Sequence, residues 1–406
     1  MPVAPARRLG RYELRAKIAD GGMAEVHVAR RLDGPGVGEV VAIKTIREEF
    51  ARNKDFVTMF MDEAKIVSRL EHPNIIRYHE LGTDDGQLYL AMELLFGQSL
   101  WSLWEACRAR GVRLRYPMIA WIGARAADGL HYAHELADER GAPLEIIHRD
   151  VNATNIFVTY DGDVKVIDFG LAKAANRASK TAAGVIKGKV AYMSPEQAIG
   201  AAIDRRTDVF ALGTTLWELA CDRRLFKRRD DVDTLRRVHA AEVPDATRLV
   251  DGFPPELWRV LRRALERDPA QRYRTAAELA RDLDAFSRGS GTDARAVATV
   301  MGELFGEDRT KQMAWVAEVS GPEASRISAV PLKARSTFWG AEEAPPVPPP
   351  RPLAPSTPGA AFPSPRPPPM PSKTRRRSAA TPLALAIAIG VALALAMIAA
   401  AWAAFR

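Results

Sequence analysis

A lysine on the apolar face of a strand is the feature that most constrains the fold of this chain. The segment EVVAIKTI alternates like a half-buried strand and places Lys44 on the same face as Val40, Ala42 and Ile46. An ammonium group buried without a partner is costly, so the fold must bring an anion to this face. In the following segment, DFVTMFMDEAKIVSRL, Glu63 lies within the apolar stripe of a predicted helix. We therefore predict that Glu63 pairs with Lys44.

A glycine-rich hairpin precedes this strand. In RYELRAKIADGGMAEVHVAR, strand-like residues run into Gly21 and Gly22 and continue through Val26 and Val28, which predicts two strands joined by a Gly turn. A lone hairpin of this kind is usually only a turn. Downstream, QLYLAMELLFGQSL predicts a strand over 88–92, a connector and a helix beginning near Ser99, as in a hinge between two lobes.

Three oxygen-bearing side chains follow apolar, strand-like segments further along the chain. Asp150 and Asn155 lie in IIHRDVNATNIFV, and Asp168 follows the apolar run of VKVIDFGLAK. Such side chains at strand ends can bind Mg²⁺ and orient a hydroxyl group. Each motif alone is typical of a turn, but their order and joint presence indicate one shared site.

These segments together resemble the eukaryotic-like protein kinases, of the bacterial Ser/Thr type, over residues 11–286. The resemblance implies an α+β, bilobal protein kinase fold, with a small β-rich N-terminal lobe carrying one helix and a larger, mostly helical C-terminal lobe. The matching motifs are VAIK at 41–44, Glu63, HRD at 148–150, Asn155, DFG at 168–170, SPE at 194–196, Asp208 and Arg272.

The resemblance also implies roles for these residues. Asp150 would accept or orient the proton of the substrate hydroxyl, and Asn155 and Asp168 would hold Mg²⁺. Lys44, fixed by Glu63, would hold the α- and β-phosphates of ATP. Adenine would bind main-chain groups near the end of the strand at 88–92. The expected nucleotide-binding residues are Ile18, Ala19, Gly21, Gly22, Val26, Ala42, Lys44, Glu93 and Leu95.

The glycine-rich loop departs from the G-x-G-x-x-G pattern of that family. Ala19 and Ala24 stand where the first and third glycines are usual. Alanine still adopts the extended loop if its φ angle stays negative. We therefore expect weaker or less flexible cover of the phosphates, with nucleotide binding retained.

The loop around Asp150 departs more seriously from the family pattern. Asn152 stands where Ser/Thr kinases carry a lysine that neutralises the γ-phosphate and helps to hold Asp150. Losing one charge-assisted hydrogen bond costs roughly 1.5–3 kcal/mol, or about one to two decades in rate. Lys189 occupies a place where a threonine is common, so we hypothesise that Lys189 supplies the missing charge as a catalytic residue. The alternative is that Lys189 is solvated and has no catalytic role. Lys187 is the next candidate for the missing charge.

Two further charge contacts are expected between the DFG motif and the end of the domain. Glu196 and Arg272 should form a buried ion pair, as the resemblance implies. Arg149, which precedes Asp150, is typical of kinases whose activation segment is often ordered by a phosphate that pairs with this arginine. Ser179 and Thr181 are the expected phosphorylation sites.

Composition divides the 406-residue chain into regions but selects no partner. The formal charge of +8 suits phosphates, nucleic acid or an anionic membrane alike, and two distant cysteines without CxxC spacing indicate neither a zinc site nor a disulfide framework. The predicted domain covers 11–286, and 287–340 is left uncertain, with one or two short helices. Proline dominates the start of a basic linker at 341–381, which favours an extended spacer over a docking site for an SH3-like partner.

The uncharged apolar stretch LALAIAIGVALALAMIAAAWAAF predicts a transmembrane helix at 382–405. As a helix it would be about 35 Å long, enough for a hydrocarbon layer of about 30 Å. Basic residues at 373–377 precede it and only Arg406 follows, so the positive-inside rule keeps the domain in the cytoplasm. We expect a single-pass protein of a bacterial cell membrane that acts on protein substrates and does not bind nucleic acid.

Three functions remain open at this point. An active, autophosphorylating Ser/Thr kinase using ATP and Mg²⁺ is favoured by the retained residues Lys44, Glu63, Asp150, Asn155 and Asp168. A membrane-docked pseudokinase scaffold is favoured by the substitutions Ala19, Ala24 and Asn152. A small-molecule kinase is disfavoured by the SPE motif and Arg272. Tyrosine as acceptor stays open, because the loop carries neither the usual Ser/Thr lysine nor the Ala-rich tyrosine-kinase pattern.

Overall fold

The first lobe is built on a six-stranded antiparallel sheet. The structure is a computed structural model that describes residues 7–20, 24–47, 50, 54–169 and 189–321, without the side chains of 54–56, 59, 62, 63, 66 and 189. The strand order is β1-β2-β3-β4-β6-β5. The strands are β1 (Arg8–Leu9), β2 (Tyr12–Asp20), β3 (Ala24–Arg31), β4 (Val40–Ile46), β5 (Tyr78–Asp84) and β6 (Gln87–Glu93).

Strand β4 alternates as its sequence predicts. Ala42 and Ile46 join the main apolar core, whereas Val41 and Ile43 join a separate cluster on the opposite face of the sheet. Lys44 lies on the core side, paired in register with Val26 on β3 and Leu90 on β6. The prediction of a lysine in the apolar face of a strand is therefore confirmed.

Among the described residues, helix α1 (Lys54–Val67) lies between β4 and β5. Phe60, Ala64 and Val67 are buried at helical spacing, as the predicted apolar stripe requires. The side chain of Glu63 lies outside the described part of this helix, so its pairing with Lys44 stays a prediction.

The second lobe is mostly helical and also carries a small sheet. Helix α2 begins where the sequence predicts, because the Ser99 hydroxyl caps it by accepting the Ser102 N–H at 3.1 Å. Helix α5 forms the centre of the lobe and is buried along nearly its whole length. The elements are β7 (Gly97–Ser99), α2 (Leu100–Ala109), α3 (Tyr116–Glu135), β8 (Ile156–Thr159), β9 (Val164–Val166), α4 (Pro195–Ala198), α5 (Arg206–Cys221), α6 (Asp231–Ala240), α7 (Ala246–Leu249), α8 (Pro255–Ala264) and α9 (Ala276–Ser287).

The last helix in the described ranges, α10 (Ala294–Ser320), packs against both lobes. It contacts α2 in the second lobe and β2 and β3 in the first. Its helical geometry is interrupted at Phe305, where the guanidinium of Arg110 donates to the carbonyls of Glu303 (2.7 Å) and Leu304 (2.8 Å). The described part of the region 287–340, which ends at residue 321, thus contains two helical segments that join at a kink and pack on the domain.

Within the described ranges, no helix is both long and apolar enough to cross a membrane. The predicted span at 382–405 and the Pro-rich linker at 341–381 lie outside those ranges.

Candidate active site

The loop at 148–155, termed the HRD loop, is fixed from below by a buried carboxylate on α5. Asp208 accepts the main-chain N–H groups of His148 and Arg149, each at 2.8 Å, and Nε2 of His134 lies 2.8 Å from it. Burial by itself would raise the pKa of Asp208, but the hydrogen bond and charge of His134, followed by His148 and the main chain, bring that pKa below its usual value. The carboxylate therefore remains ionised and holds the loop.

Two residues of the site have left-handed backbone conformations without being glycine. Arg149 has φ of 67° and Asp168 has φ of 63°. Such a conformation costs on the order of 1–3 kcal/mol and persists only where surrounding contacts enforce it. At Arg149 these contacts are the N–H bond to Asp208 and a bond from Gln197 Nε2 to the Arg149 carbonyl at 3.3 Å. Strain of this kind clusters at functional sites.

The carboxylate of Asp150 is held on both oxygens by carboxamides from its own loop. Nδ2 of Asn152 donates to Oδ1 at 3.2 Å, and Nδ2 of Asn155 donates to Oδ2 at 3.0 Å. Both amides also donate to the main-chain oxygen of Asp150, at 2.9 Å and 2.8 Å. Asn152 is therefore more than the loss of a lysine, and no pattern in the sequence indicates its contact with Asp150.

Asp168 is brought beside the HRD loop by main-chain and ring contacts. The N–H of Ile167 donates to the carbonyl of Asn155 at 2.9 Å, and Nε2 of His148 lies 2.9 Å from the Ile167 carbonyl. The ring of buried Phe169 packs on His148, with centroids 4.6 Å apart. These contacts hold the main chain before and after Asp168 against the HRD loop.

Lys44 reaches across the cleft from the first lobe to Asp168. Its Nζ donates to Asp168 Oδ1 at 2.7 Å, with 14% of the lysine side chain and 39% of the aspartate side chain exposed. This contact gives the ammonium group an anionic partner 124 residues away in the sequence. No pattern in the sequence predicts this ion pair between Lys44 and Asp168.

The residues expected around the nucleotide lie in one apolar cluster. Ile18, Ala19, Val26, Ala42 and Leu95 are all buried and belong to the core that joins the two lobes. These side chains come from β2, β3, β4 and the connector after β6. The arrangement provides an apolar wall next to Lys44, as a nucleotide base requires.

Glu93 is tied to the second lobe through its side chain. Its carboxylate lies 2.8 Å from the ammonium group of Lys165 on β9 and accepts the Arg77 N–H at 2.8 Å. The carboxylate thus holds the connector between the lobes, which is a structural role that sequence reasoning did not assign.

The segment at 189–199, termed the platform, follows the undescribed stretch 170–188. The Glu196 carboxylate accepts hydrogen bonds from Nη1 and Nη2 of Arg272, at 2.8 Å and 2.9 Å. It also accepts one from the Thr207 hydroxyl at 2.9 Å. The Arg272 side chain is fully buried and that of Glu196 is 11% exposed. The predicted buried ion pair is confirmed.

The donor set fits a divalent cation held together with substrate phosphates. Asn155 directs its Nδ2 at Asp150, which turns its carboxamide oxygen away from that residue, and Asp168 adds a carboxylate. In the described part of the chain, no group of three or more His, Cys, Asp or Glu side chains could hold a metal by itself. Mg²⁺ commonly binds one or two protein oxygens plus phosphates, so this sparse set is sufficient.

A family model described as the protein kinase domain matches residues 12–282, well over half of the chain. The chain belongs to the protein kinase family. Members of this family use ATP and Mg²⁺, in keeping with the donor set around Asp168.

Three bacterial kinases are among the curated relatives that this chain resembles. The tyrosine-protein kinase MasK of Myxococcus xanthus is 39% identical over 302 residues, covering 74% of this chain and 47% of MasK. The serine/threonine-protein kinase PknL of Mycobacterium tuberculosis is 34% identical, covering 70% of this chain and 68% of PknL. PrkC of Bacillus subtilis is 33% identical, covering 68% and 40%. The chain thus spans about half the length of MasK and less than half of PrkC.

Solved structures show the same fold. The kinase domain of Mycobacterium tuberculosis PknI superposes on this kinase with a TM-score of 0.54 at 25% identity. The match covers 70% of this chain and 99% of the PknI chain. The predicted bilobal kinase fold is thereby confirmed for this part of the chain.

Several predicted site residues fall outside the described part of the kinase. Gly21 and Gly22 lie there, as do Ser179 and Thr181. The main chain of Lys189 begins a 3₁₀ turn that ends at Tyr192, but its side chain is not described. The roles predicted for Glu63, Gly21, Gly22 and Lys189 therefore stay predictions.

Proposed function

We propose that this chain transfers the γ-phosphate of ATP to hydroxyl groups of proteins, with Ser and Thr as the preferred acceptors and with autophosphorylation. The observation that carries the proposal is the geometry of Asp150. Its carboxylate is held on both oxygens and lies in the same cleft as Asn155, Asp168 and Lys44. A general base must be oriented toward the proton it receives, and these contacts provide that orientation.

The chain's own residues divide the work of the transfer. Asp150 orients the acceptor hydroxyl and receives its proton as the oxygen attacks. Lys44 places a positive charge beside the α- and β-phosphates, and the apolar wall at Ile18, Val26 and Ala42 holds the base. Asn155 and Asp168 would hold Mg²⁺, which supplies neutralisation of phosphate charge when bound.

Incubation of the purified chain with labelled ATP and Mg²⁺ tests the activity. We expect transfer of label to the chain and to casein, and loss of transfer in Asp150→Asn and Lys44→Met. Nucleotide binding should survive in Asp150→Asn, since that residue contacts the acceptor. Equal labelling in parent and variants would reject the activity.

The acceptor residue is a separate part of the proposal, because this chain resembles both Ser/Thr and tyrosine kinases. PknL and PrkC are named serine/threonine-protein kinases, whereas MasK is named a tyrosine-protein kinase. The greater number of Ser/Thr relatives supports Ser and Thr. Phosphoamino-acid analysis of labelled casein should give phosphoserine and phosphothreonine, and phosphotyrosine alone would reverse the assignment.

A pseudokinase scaffold is the alternative, favoured by Ala19, Ala24 and Asn152. The held Asp150 carboxylate argues against it, since a scaffold has no use for an oriented base. A scaffold would give no label transfer and would tolerate Asp150→Asn in every cellular assay.

Lys189 is our candidate for the charge that Asn152 lacks. Its place at the start of the platform, three residues before Tyr192, supports the idea. Lys189→Ala should lower the rate at saturating ATP by about one to two decades, the value of one charge-assisted hydrogen bond. Lys187→Ala tests the next candidate in the same assay, and an unchanged rate in Lys189→Ala would contradict the hypothesis.

Phosphorylation of Ser179 or Thr181 is proposed to order the segment before the platform by pairing with Arg149. Arg149 supports this role because its Nε is buried without a hydrogen-bond partner among the described residues. Mass spectrometry of active protein should find phosphate at one of the two sites, and unmodified residues in fully active protein would remove the idea.

The stretch at 382–405 is proposed to anchor the domain on the cytoplasmic side of a bacterial membrane. Its length, lack of charge and basic N-terminal flank support this assignment. The full chain should stay in the membrane fraction after a high-salt wash, whereas residues 1–381 should be released. The Pro-rich part of 341–381 is proposed to act as a spacer, with a protein partner as the alternative.

A further inference from the structure

The side chain of Asn152 is locked in one orientation by the residue two places after it. Its Oδ1 accepts the main-chain N–H of Thr154 at 2.8 Å and the Thr154 hydroxyl at 2.5 Å. A main-chain N–H only donates, so the oxygen end of the carboxamide must face Thr154. The Nδ2 end must then face Asp150, which makes the assignment of the two amide atoms unambiguous.

All hydrogen-bonding groups of this amide are used within the loop. Asn152 is 4% exposed, and its two N–H groups go to the carbonyl and to Oδ1 of Asp150. A buried carboxamide with every group satisfied is a rigid support, because each alternative rotamer leaves a buried polar atom without a partner. Rotation of the Asp150 side chain is restrained from this side.

Asn155 restrains the same carboxylate from the other side. Its Nδ2 donates to Asp150 Oδ2 at 3.0 Å and to the Asp150 carbonyl at 2.8 Å. The two amides together, termed the amide clamp, contact both oxygens of one carboxylate. One member of the clamp is expected from the family motif, and the other stands where the family lysine is missing.

We propose that Asn152 is a positioning residue for phosphoryl transfer, doing the orienting half of the work of the missing lysine. The inference rests on the proposed kinase activity. A lysine at this place orients Asp150 and also brings a positive charge to the γ-phosphate. The carboxamide performs the first task with its N–H groups and is neutral, so the charge must come from another residue. The two tasks are therefore separated in this chain.

The separation has a kinetic signature. Misplacing a catalytic group by about 1 Å costs on the order of 100-fold in rate, whereas ATP is held by other residues. Loss of the Asn152 amide should consequently lower kcat while leaving the KM for ATP nearly unchanged. A purely structural asparagine would affect the unfolding midpoint and leave kcat per folded molecule unchanged.

Three variants of the full chain test the inference. Asn152→Ala removes the amide, and we expect kcat for labelling of casein to fall about 10- to 100-fold, with the KM for ATP within about threefold. Asn152→Asp keeps the acceptor for Thr154 but replaces the donor with a carboxylate. Asn74→Ala is the matched control, because its part-buried carboxamide also donates to a carbonyl, that of Val164 at 2.8 Å, away from Asp150.

The split between kcat and KM gives a readout that folding does not move. Asn152→Asp places a carboxylate where the donating end stood, and a carboxylate cannot donate to Asp150, so kcat should fall as in Asn152→Ala while the KM for ATP stays within about threefold. Asn152→Ala with kcat within twofold of the parent, or an equal fall in Asn74→Ala, would overturn the positioning role. A parent chain no more active than Asp150→Asn would instead reject the proposed function, and this inference with it.

Discussion

The HRD loop is fixed to helix α5, and the platform to α5 and to Arg272, by different chemistry. The HRD loop is held by main-chain N–H groups that donate to one buried carboxylate, Asp208. The platform is held by pairs of side chains: Arg272 binds Glu196, and the Tyr192 hydroxyl donates to Glu218 at 2.9 Å. One region therefore depends on a single residue, and the other on complementary partners.

The difference determines what a substitution leaves behind. Removing Asp208 leaves the N–H groups of His148 and Arg149 and the ring of His134 without this acceptor. The N–H groups are neutral and the histidine can become neutral, so no buried charge remains unpaired. Removing Arg272 leaves the charge of Glu196 in a largely buried place, which is more costly than a lost neutral hydrogen bond. We expect loss of the Arg272–Glu196 pair to affect stability first and loss of Asp208 to affect catalysis first.

The largest effect on stability is expected for Arg272→Ala. Breaking a buried ion pair by removing one partner costs about 3–5 kcal/mol. Urea unfolding should show a loss of this size. Arg274→Ala is the matched control, because the Arg274 side chain is 83% exposed in its pair with Glu278 and should contribute less than about 1 kcal/mol. Equal losses in the two variants would break the comparison.

Asp208→Asn is expected to have a smaller effect on stability and a larger effect on catalysis. The Asp208 carboxylate offers two acceptor oxygens to its donors, whereas a carboxamide offers only one. At least one hydrogen bond is therefore lost, at about 1–3 kcal/mol. The HRD loop then loses its support, and kcat should fall by more than in Arg272→Ala per folded molecule. Asp204→Asn, at an exposed carboxylate, is the control. An unchanged kcat in Asp208→Asn would contradict the assignment.

A pH-dependent difference should follow from Glu196. Burial would raise the pKa of Glu196, but the hydrogen bond and charge of Arg272 bring it below its usual value. Its stabilisation is therefore full above the unfolded value of about 4.3 and is lost as the pH falls through the lower folded value. The difference in free energy of unfolding between the parent and Glu196→Gln should be largest near pH 7 and should disappear in acid. A constant difference would exclude this linkage.

Glu218 is expected to behave in the opposite sense. Burial raises its pKa above the usual value, despite the neighbouring charge of Arg224. A raised folded pKa gives stability that is present below the unfolded value and is lost as the pH rises through the folded value. The parent should therefore lose stability relative to Glu218→Gln as the pH rises from acid to neutral. A change in the other direction would show that Arg224 outweighs burial.

The smallest effect is expected for Arg110→Ala, which tests whether either region depends on α10. Two hydrogen bonds to the kink in α10 are lost, at about 0.5–1.5 kcal/mol each. Hydrogen exchange should increase in α10, while kcat stays within about twofold. Exposed Arg113→Ala is the control. A large fall in kcat would show that α10 takes part in setting the geometry of the cleft.

Periodicity predicted the elements near the site well, because their apolar patterns are regular. Strand β4, the stripe of α1 and the start of α2 at Ser99 follow local rules of alternation, helical spacing and capping. The ion pair of Glu196 with Arg272, 76 residues apart, was expected from the family resemblance. No local pattern carries that information.

Helix α10 shows where local patterns fail. Its buried residues Val297, Met301 and Phe305 follow helical spacing up to the kink, and Gln312, Val316 and Val319 resume it afterwards in a shifted register. The interruption weakens the apolar pattern, so the sequence left one or two short helices open. Packing against α2, β2 and β3 stabilises the two helical segments, which join at the kink.

The sequence by itself determined the kinase motifs, the lysine of β4 and the identities of Asp150, Asn155 and Asp168. Only the tertiary structure decided that Lys44 meets Asp168 and that Asn152 supports Asp150 instead of merely lacking a charge. The physical reason is direction. A sequence states which groups are available, whereas the bonds that a carboxamide makes depend on how the loop turns its two ends.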